Sequence, residues 1–89
     1  MNRLKFQKVG DVNYKYSYIQ VFIKDDINPF MDIGINDNKE LEFWFYESNN
    51  KIKLSLEEMQ RILKEASDFY PNELKNEEYY EKFIANKNK

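Results

Sequence analysis

The chain has no cysteine and no histidine, and only two glycines and two prolines in 89 residues. Without Cys there can be no disulfide and no thiolate metal site, a composition compatible with the cytosol. Without His, the usual general base near neutral pH and the commonest transition-metal ligand are both missing. Gly10 and Gly34 are too few and too far apart for a phosphate-cradling loop. Asp32-x-Gly34 and Asp37-Asn38 have neither the ligand spacing nor the terminal Glu of a calcium loop. No apolar run approaches the ~20 residues of a membrane helix. Met1-Asn2-Arg3-Leu4-Lys5 leads into no signal-peptide core. The expectation is a single non-enzymatic domain, cytoplasmic, with no cofactor, no metal and no membrane contact.

Aromatics are what the chain does have: seven Phe, seven Tyr and one Trp. Each can bury roughly 150–250 Å², which helps a domain this short build a core. The net charge of −2 argues against a nucleic-acid partner. That average hides an asymmetry. Residues 1–24 carry Arg3, Lys5, Lys8, Lys15 and Lys24 against Asp11 alone. Residues 25–50 carry Asp25, Asp26, Asp32, Asp37, Glu40, Glu42 and Glu47 against Lys39 alone.

Alternation and turn chemistry predict an α+β fold: an antiparallel β-meander of four to five strands over residues 3–54, a packed helix over 56–70 and a short C-terminal helix over 77–86. Strands are expected at 3–9, 14–24, 30–36, 40–47 and 51–54, divided by Gly/Asp/Asn-rich turns. Connections this short make neighbours antiparallel. Ser55 followed by Glu58 is a capping box, with Leu54 and Met59 placed as its staple. Leu56, Met59, Ile62, Leu63, Ala66, Phe69 and Tyr70 form the helical stripe. Pro71-Asn72 is expected to stop the helix. Tyr79, Tyr80, Phe83 and Ile84 would be the stripe of the second helix, with fraying from residue 85.

The segment Glu40–Glu47 alternates in an unusual way. Leu41, Phe43 and Phe45 share one face, expected to be core; Glu42, Trp44 and Tyr46 share the other. By the same parity Tyr16, Tyr18 and Phe22 lie on that second face. A half-buried strand normally shows a polar outer face. Aromatics there mark an interface or a surface covered by the C-terminal helix. The candidate partner-binding residues are therefore Tyr16, Tyr18, Phe22, Asp32, Glu42, Trp44 and Tyr46. Acids among aromatic anchors suit a basic protein surface, or a second copy whose outer face pairs with the first.

Two resemblances bear on this. The stretch Asn50–Met59, a last strand running into a capped helix, resembles the end of positive-cofactor-four-like coactivators. That resemblance implies a dimer binding single-stranded DNA on its sheet, but Asp32, Glu42 and Glu47 sit where phosphates would approach. The whole chain resembles the small, acidic, aromatic-rich immunity proteins of bacterial toxin systems. The features that carry this are Asn28-Pro29-Phe30, Leu41–Tyr46, Lys51–Met59 and Asn76-Glu77-Glu78-Tyr79-Tyr80. It implies a protein that neutralises a toxin or host enzyme by occluding its site. The Asn/Lys/Ile/Tyr-rich composition fits an AT-rich bacterial or phage genome.

Overall fold

The computed structural model describes residues 3–48 and 50–87, with side chains through Tyr79. Four strands form one antiparallel sheet in chain order: β1 (Leu4–Val9), β2 (Tyr18–Ile23), β3 (Met31–Ile35) and β4 (Leu41–Phe45). One helix, α1 (Leu56–Lys87), follows. The register pairs Phe6 with Val21, Ile19 with Ile33 and Ile33 with Phe43, so the inner-face residues of successive strands line up across the sheet. Residues 51–54 make no ladder, so the expected fifth strand is absent; Leu54 still packs against the core, whereas Ile52 is exposed.

The turns carry their own bonds. The Asp11 carboxylate accepts from the Asn13 N–H at 2.9 Å. The Asn36 side-chain oxygen accepts from the Asn38 and Glu40 N–H groups at 2.9 and 3.0 Å, and Lys39 takes a φ of 65° to close the β3–β4 turn. The Tyr70 hydroxyl donates to the Lys39 carbonyl and ties this turn to the helix.

The capping box forms as the sequence predicts. Glu58 N–H donates to Ser55 Oγ at 3.1 Å, and Ser55 N–H donates to Glu58 Oε1 at 2.9 Å. Arg3 then clamps Glu58 through Nε and Nη2, at 2.9 and 2.8 Å. Arg3 and the Ser55 N–H together hold the Glu58 carboxyl down at about 2 from its ordinary 4.5. A depressed carboxylate stabilises the fold above its unfolded pKa and stops doing so as pH falls toward the folded value, here between about 4.5 and about 2. Ser55→Ala should cost about 1 kcal/mol, because the Glu58 N–H loses its cap. A denaturant melt that does not move would place the helix start elsewhere.

The core lies between α1 and the inner face of the sheet. Ile62, Ala66 and Phe69 are buried against Ile19, Val21, Met31, Ile33 and Ile35. The helix leans toward β1: Arg61 lies over the Phe6 ring at 5.2 Å, Glu58 holds Arg3, and Glu73 reaches Lys8 at 3.2 Å.

Three expectations are corrected here. Pro71 lies inside the helix, and α1 is continuous where two helices were expected. The Pro costs on the order of 3 kcal/mol in a helix interior, and anchors on both sides of it offset that. Phe69 and Tyr70 dock before it; after it, the buried Glu73 accepts from the Ser17 N–H at 2.8 Å and Leu74 packs on the core. Burial pushes the Glu73 carboxyl up, but the Ser17 N–H and Lys8 outweigh it and hold the group low. The Tyr80, Phe83 and Ile84 stripe lies outside the described side chains. Second, Tyr16 is buried in the core at the end of β2, because the backbone turns through residues 11–17 and the strand begins only at Tyr18. Third, Phe45 is 70% exposed although it shares the inner face with Leu41 and Phe43. A helix leaning over β1 does not cover the far edge of the sheet.

Candidate functional site

The outer face of the sheet carries Tyr18, Gln20 and Phe22 from β2, Asp32 and Gly34 from β3, and Glu42 and Trp44 from β4, with Tyr46 just beyond. Gln20, Asp32 and Trp44 are cross-strand partners in one row. The face thus gathers six of the seven predicted residues; Tyr16 is the one it lacks. The described part of α1 packs on the opposite face, and Tyr79 is 74% exposed, so these side chains do not form the helical cover that is the alternative to an interface.

Trp44 is seated on Gly34. A Cβ at Gly34 would collide with the six-membered ring of the indole, so glycine is what permits this close approach. The indole Nε1–H donates to Glu42 Oε1 at 2.9 Å, which fixes the ring along its own strand. Tyr46 is held likewise: its hydroxyl donates to Asp32 Oδ2 at 2.7 Å. Tyr18 meets Tyr14 edge-on, with ring centroids 5.8 Å apart. A cleft of about 70 Å³ opens between the 13–18 segment, Asp37 and Trp44. Phe22 is buried on this face, with Lys5 Nζ 5.4 Å from its ring centroid. That makes Phe22 a support beneath the surface rather than part of it.

Asp32 is the electrostatic centre of the face. It is 9% exposed, and its Oδ1 has no hydrogen-bond partner among the described residues. Burial pushes its carboxyl above the ordinary 3.8, and the Tyr46 hydrogen bond opposes this only in part. Burial also raises the Tyr46 phenol, with Asp32 adding to the shift; Tyr18 is raised by burial and by the charges of Asp11 and Asp32. The sign for stability follows from linkage. The folded state holds the Asp32 proton more tightly than the unfolded chain. Its stabilising contribution is therefore full below 3.8 and is lost as pH rises through the raised folded value. Asp32→Asn should be at least as stable as the parent at neutral pH, with the difference shrinking in acid. Melts at both pH values check this; a destabilisation at neutral pH that disappears in acid would show that the charge stabilises the fold.

Tyr14, Gln20 and Gly34 were missed as site residues. Gln20 was legible by strand parity, and a glycine inside a strand signals close approach. Tyr14 falls within the strand expected at 14–24, whereas β2 begins at Tyr18. Glu73 had no signal, because Pro71 appeared to end the helix before it. Chemically the face offers rigid aromatic surface, hydroxyl and indole donors, and carboxylates of differing exposure. No protein-family model, curated protein or solved structure matches the chain. Among the described residues no helix is long and apolar enough to cross a membrane.

Proposed function

We propose that the protein is a non-enzymatic binding module, most concretely an immunity or inhibitor protein that occludes the site of a cognate toxin or host enzyme with the outer face of its sheet. The observation that carries this reading is the fixing of Trp44 and Tyr46 by Gly34, Glu42 and Asp32. Side chains already held in place lose little further freedom on binding. Tyr and Trp are also the residues that most often dominate interface energetics. Glu42, Glu47 and Asp37 are exposed around the aromatics and give the face a negative field that would steer a basic cleft toward it.

The same face separates this reading from single-stranded nucleic-acid binding. The aromatics suit base stacking, but the carboxylates beside them repel phosphates. A fluorescent single-stranded oligonucleotide should bind weakly at physiological salt and with a small salt slope, since few counterions are released. Sub-micromolar affinity (order of magnitude) that falls steeply with salt would favour the coactivator-like reading instead. Protein binding is tested by capture from the source organism with parent and Trp44→Ala baits. A protein recovered by the parent alone supports the proposal.

A further inference from the structure

The two edges of the sheet are treated differently. At the β1 edge Lys5 and Lys8 punctuate the strand, and Arg3, Lys8 and Phe6 are engaged by Glu58, Glu73 and Arg61 of α1. Charged residues of this kind are how natural sheets blunt an edge. The β4 edge, Leu41-Glu42-Phe43-Trp44-Phe45, has no Lys and no Pro, and no strand among the described residues pairs with it. Beside it lies apolar surface. Ile62, Ala66 and Phe69 point to the core, and Tyr70 reaches the β3–β4 turn. Leu63, seven residues before Tyr70, and Met59, four before Leu63, therefore lie on the helix flank that faces β4. Phe45 is 70%, Leu63 49% and Met59 36% exposed.

The backbone states which groups are free. Tyr46 N–H donates to the Phe30 carbonyl at 3.1 Å, and Asn36 N–H to the Glu40 carbonyl at 2.9 Å. The even-numbered residues of β4 thus turn their backbone groups toward β3, and Leu41, Phe43 and Phe45 turn theirs outward. We infer that β4 pairs antiparallel with β4 of a second copy, about a two-fold axis at Phe43, to give a continuous eight-stranded sheet.

Complementarity selects that occupant and that register. With Phe43 opposite Phe43 of the second copy, Leu41 meets Phe45, Glu42 meets Trp44, Glu40 meets Tyr46, and Lys39 meets Glu47. Every acid faces an aromatic or a cation and none faces another acid, and the inner face becomes one apolar ladder. A shift that centres the axis on Glu42 sets two carboxylates directly opposite, and one centred on Leu41 sets Glu40 against Glu42; both are unfavourable. A specific interface needs about 1,000 Å² in total. At 70% exposure, Phe45 alone brings roughly 100–170 Å² per copy, and Leu41, Phe43, Met59 and Leu63 add to it. The outer face stays open in this dimer, so the inference stands apart from the proposed function.

The test uses the absence of cysteine. In this register the Phe43 Cα atoms are about 5.5 Å apart across the axis, within the range a disulfide spans. Phe43→Cys should form a covalent dimer on mild oxidation. Glu42→Cys should not, because its two copies lie diagonally at about 7–8 Å. Sedimentation of the parent should show a concentration-dependent dimer. Phe45→Lys, at a position exposed in the monomer, should weaken it by about tenfold or more and leave the melting temperature unchanged at protein concentrations where the parent is monomeric. Trp44→Ala, which loses only the Glu42–Trp44 cross-strand pairs, should weaken it less than Phe45→Lys does. A parent that stays monomeric at all concentrations overturns the inference and leaves the edge to a foreign strand. A dimer indifferent to Phe45→Lys, or one cross-linked as well by Glu42→Cys, overturns the pairing.

Discussion

Ile62→Ala should lower the free energy of unfolding by roughly 2–5 kcal/mol, a large loss for a single truncation. Ile62 is fully buried, at 0% exposure, where α1 meets the centre of the sheet. The substitution removes three methyl or methylene groups from a site walled by Val21, Met31 and Ile33, all within 1% of complete burial. A cavity bounded by two rigid elements relaxes little, so the cavity cost adds to the lost transfer energy. For a domain of this size, a loss in that range is a large share of a total of about 5–15 kcal/mol. Phe43→Ala should cost less than a truncation in the closed core, because Phe43 is only half buried, and Phe45→Ala should cost little. Urea titrations of the three variants check the order. A loss at Phe45 equal to that at Ile62 would mean that β4 is covered as a core strand is.

Trp44→Ala should cost partner affinity roughly 2 kcal/mol or more, the order expected of an interface hot spot. Its effect on stability should be smaller, since the indole lies on the outer face over Gly34 and only part of it is buried. Gly34→Ala gives an independent reading of the same contact. It keeps the tryptophan but adds a Cβ where the ring lies, so the ring must leave its seat. Trp44 is the only tryptophan, so its fluorescence should report that displacement directly. Affinity should fall in Gly34→Ala even though no binding side chain has been removed. Glu42→Lys should act differently, slowing association with a basic partner more than it speeds dissociation. Calorimetry for affinity and stopped-flow for association separate these effects.

The meander, the antiparallel pairing and the capped helix start were legible because each rests on local chemistry. Period-two alternation, Asp and Asn turns, and Ser55 with Glu58 act over a few residues and needed no tertiary knowledge. The outer-face set was legible by the same alternation, which placed Tyr18, Phe22, Asp32, Glu42, Trp44 and Tyr46 together. What was not legible depended on the lateral position of α1. Phe45 has the parity of a core residue, and only a helix displaced toward β1 leaves it exposed. Pro71 has the chemistry of a helix stop, and only docking on both sides carries the helix through it. Tyr16 has strand parity with Tyr18, and only the turn that precedes Tyr18 directs it inward. Alternation assigns faces, but it does not say how far across a face the next layer extends.

The central claim is that the outer face of the sheet takes a protein partner. It is tested most directly by parallel capture from the source organism with parent, Trp44→Ala and Phe45→Lys baits, followed by calorimetry with the recovered protein. The account predicts that one protein with a basic cleft is recovered by the parent and by Phe45→Lys, and that its affinity falls about thirtyfold or more with Trp44→Ala. Equal binding to the parent and to Trp44→Ala would contradict it.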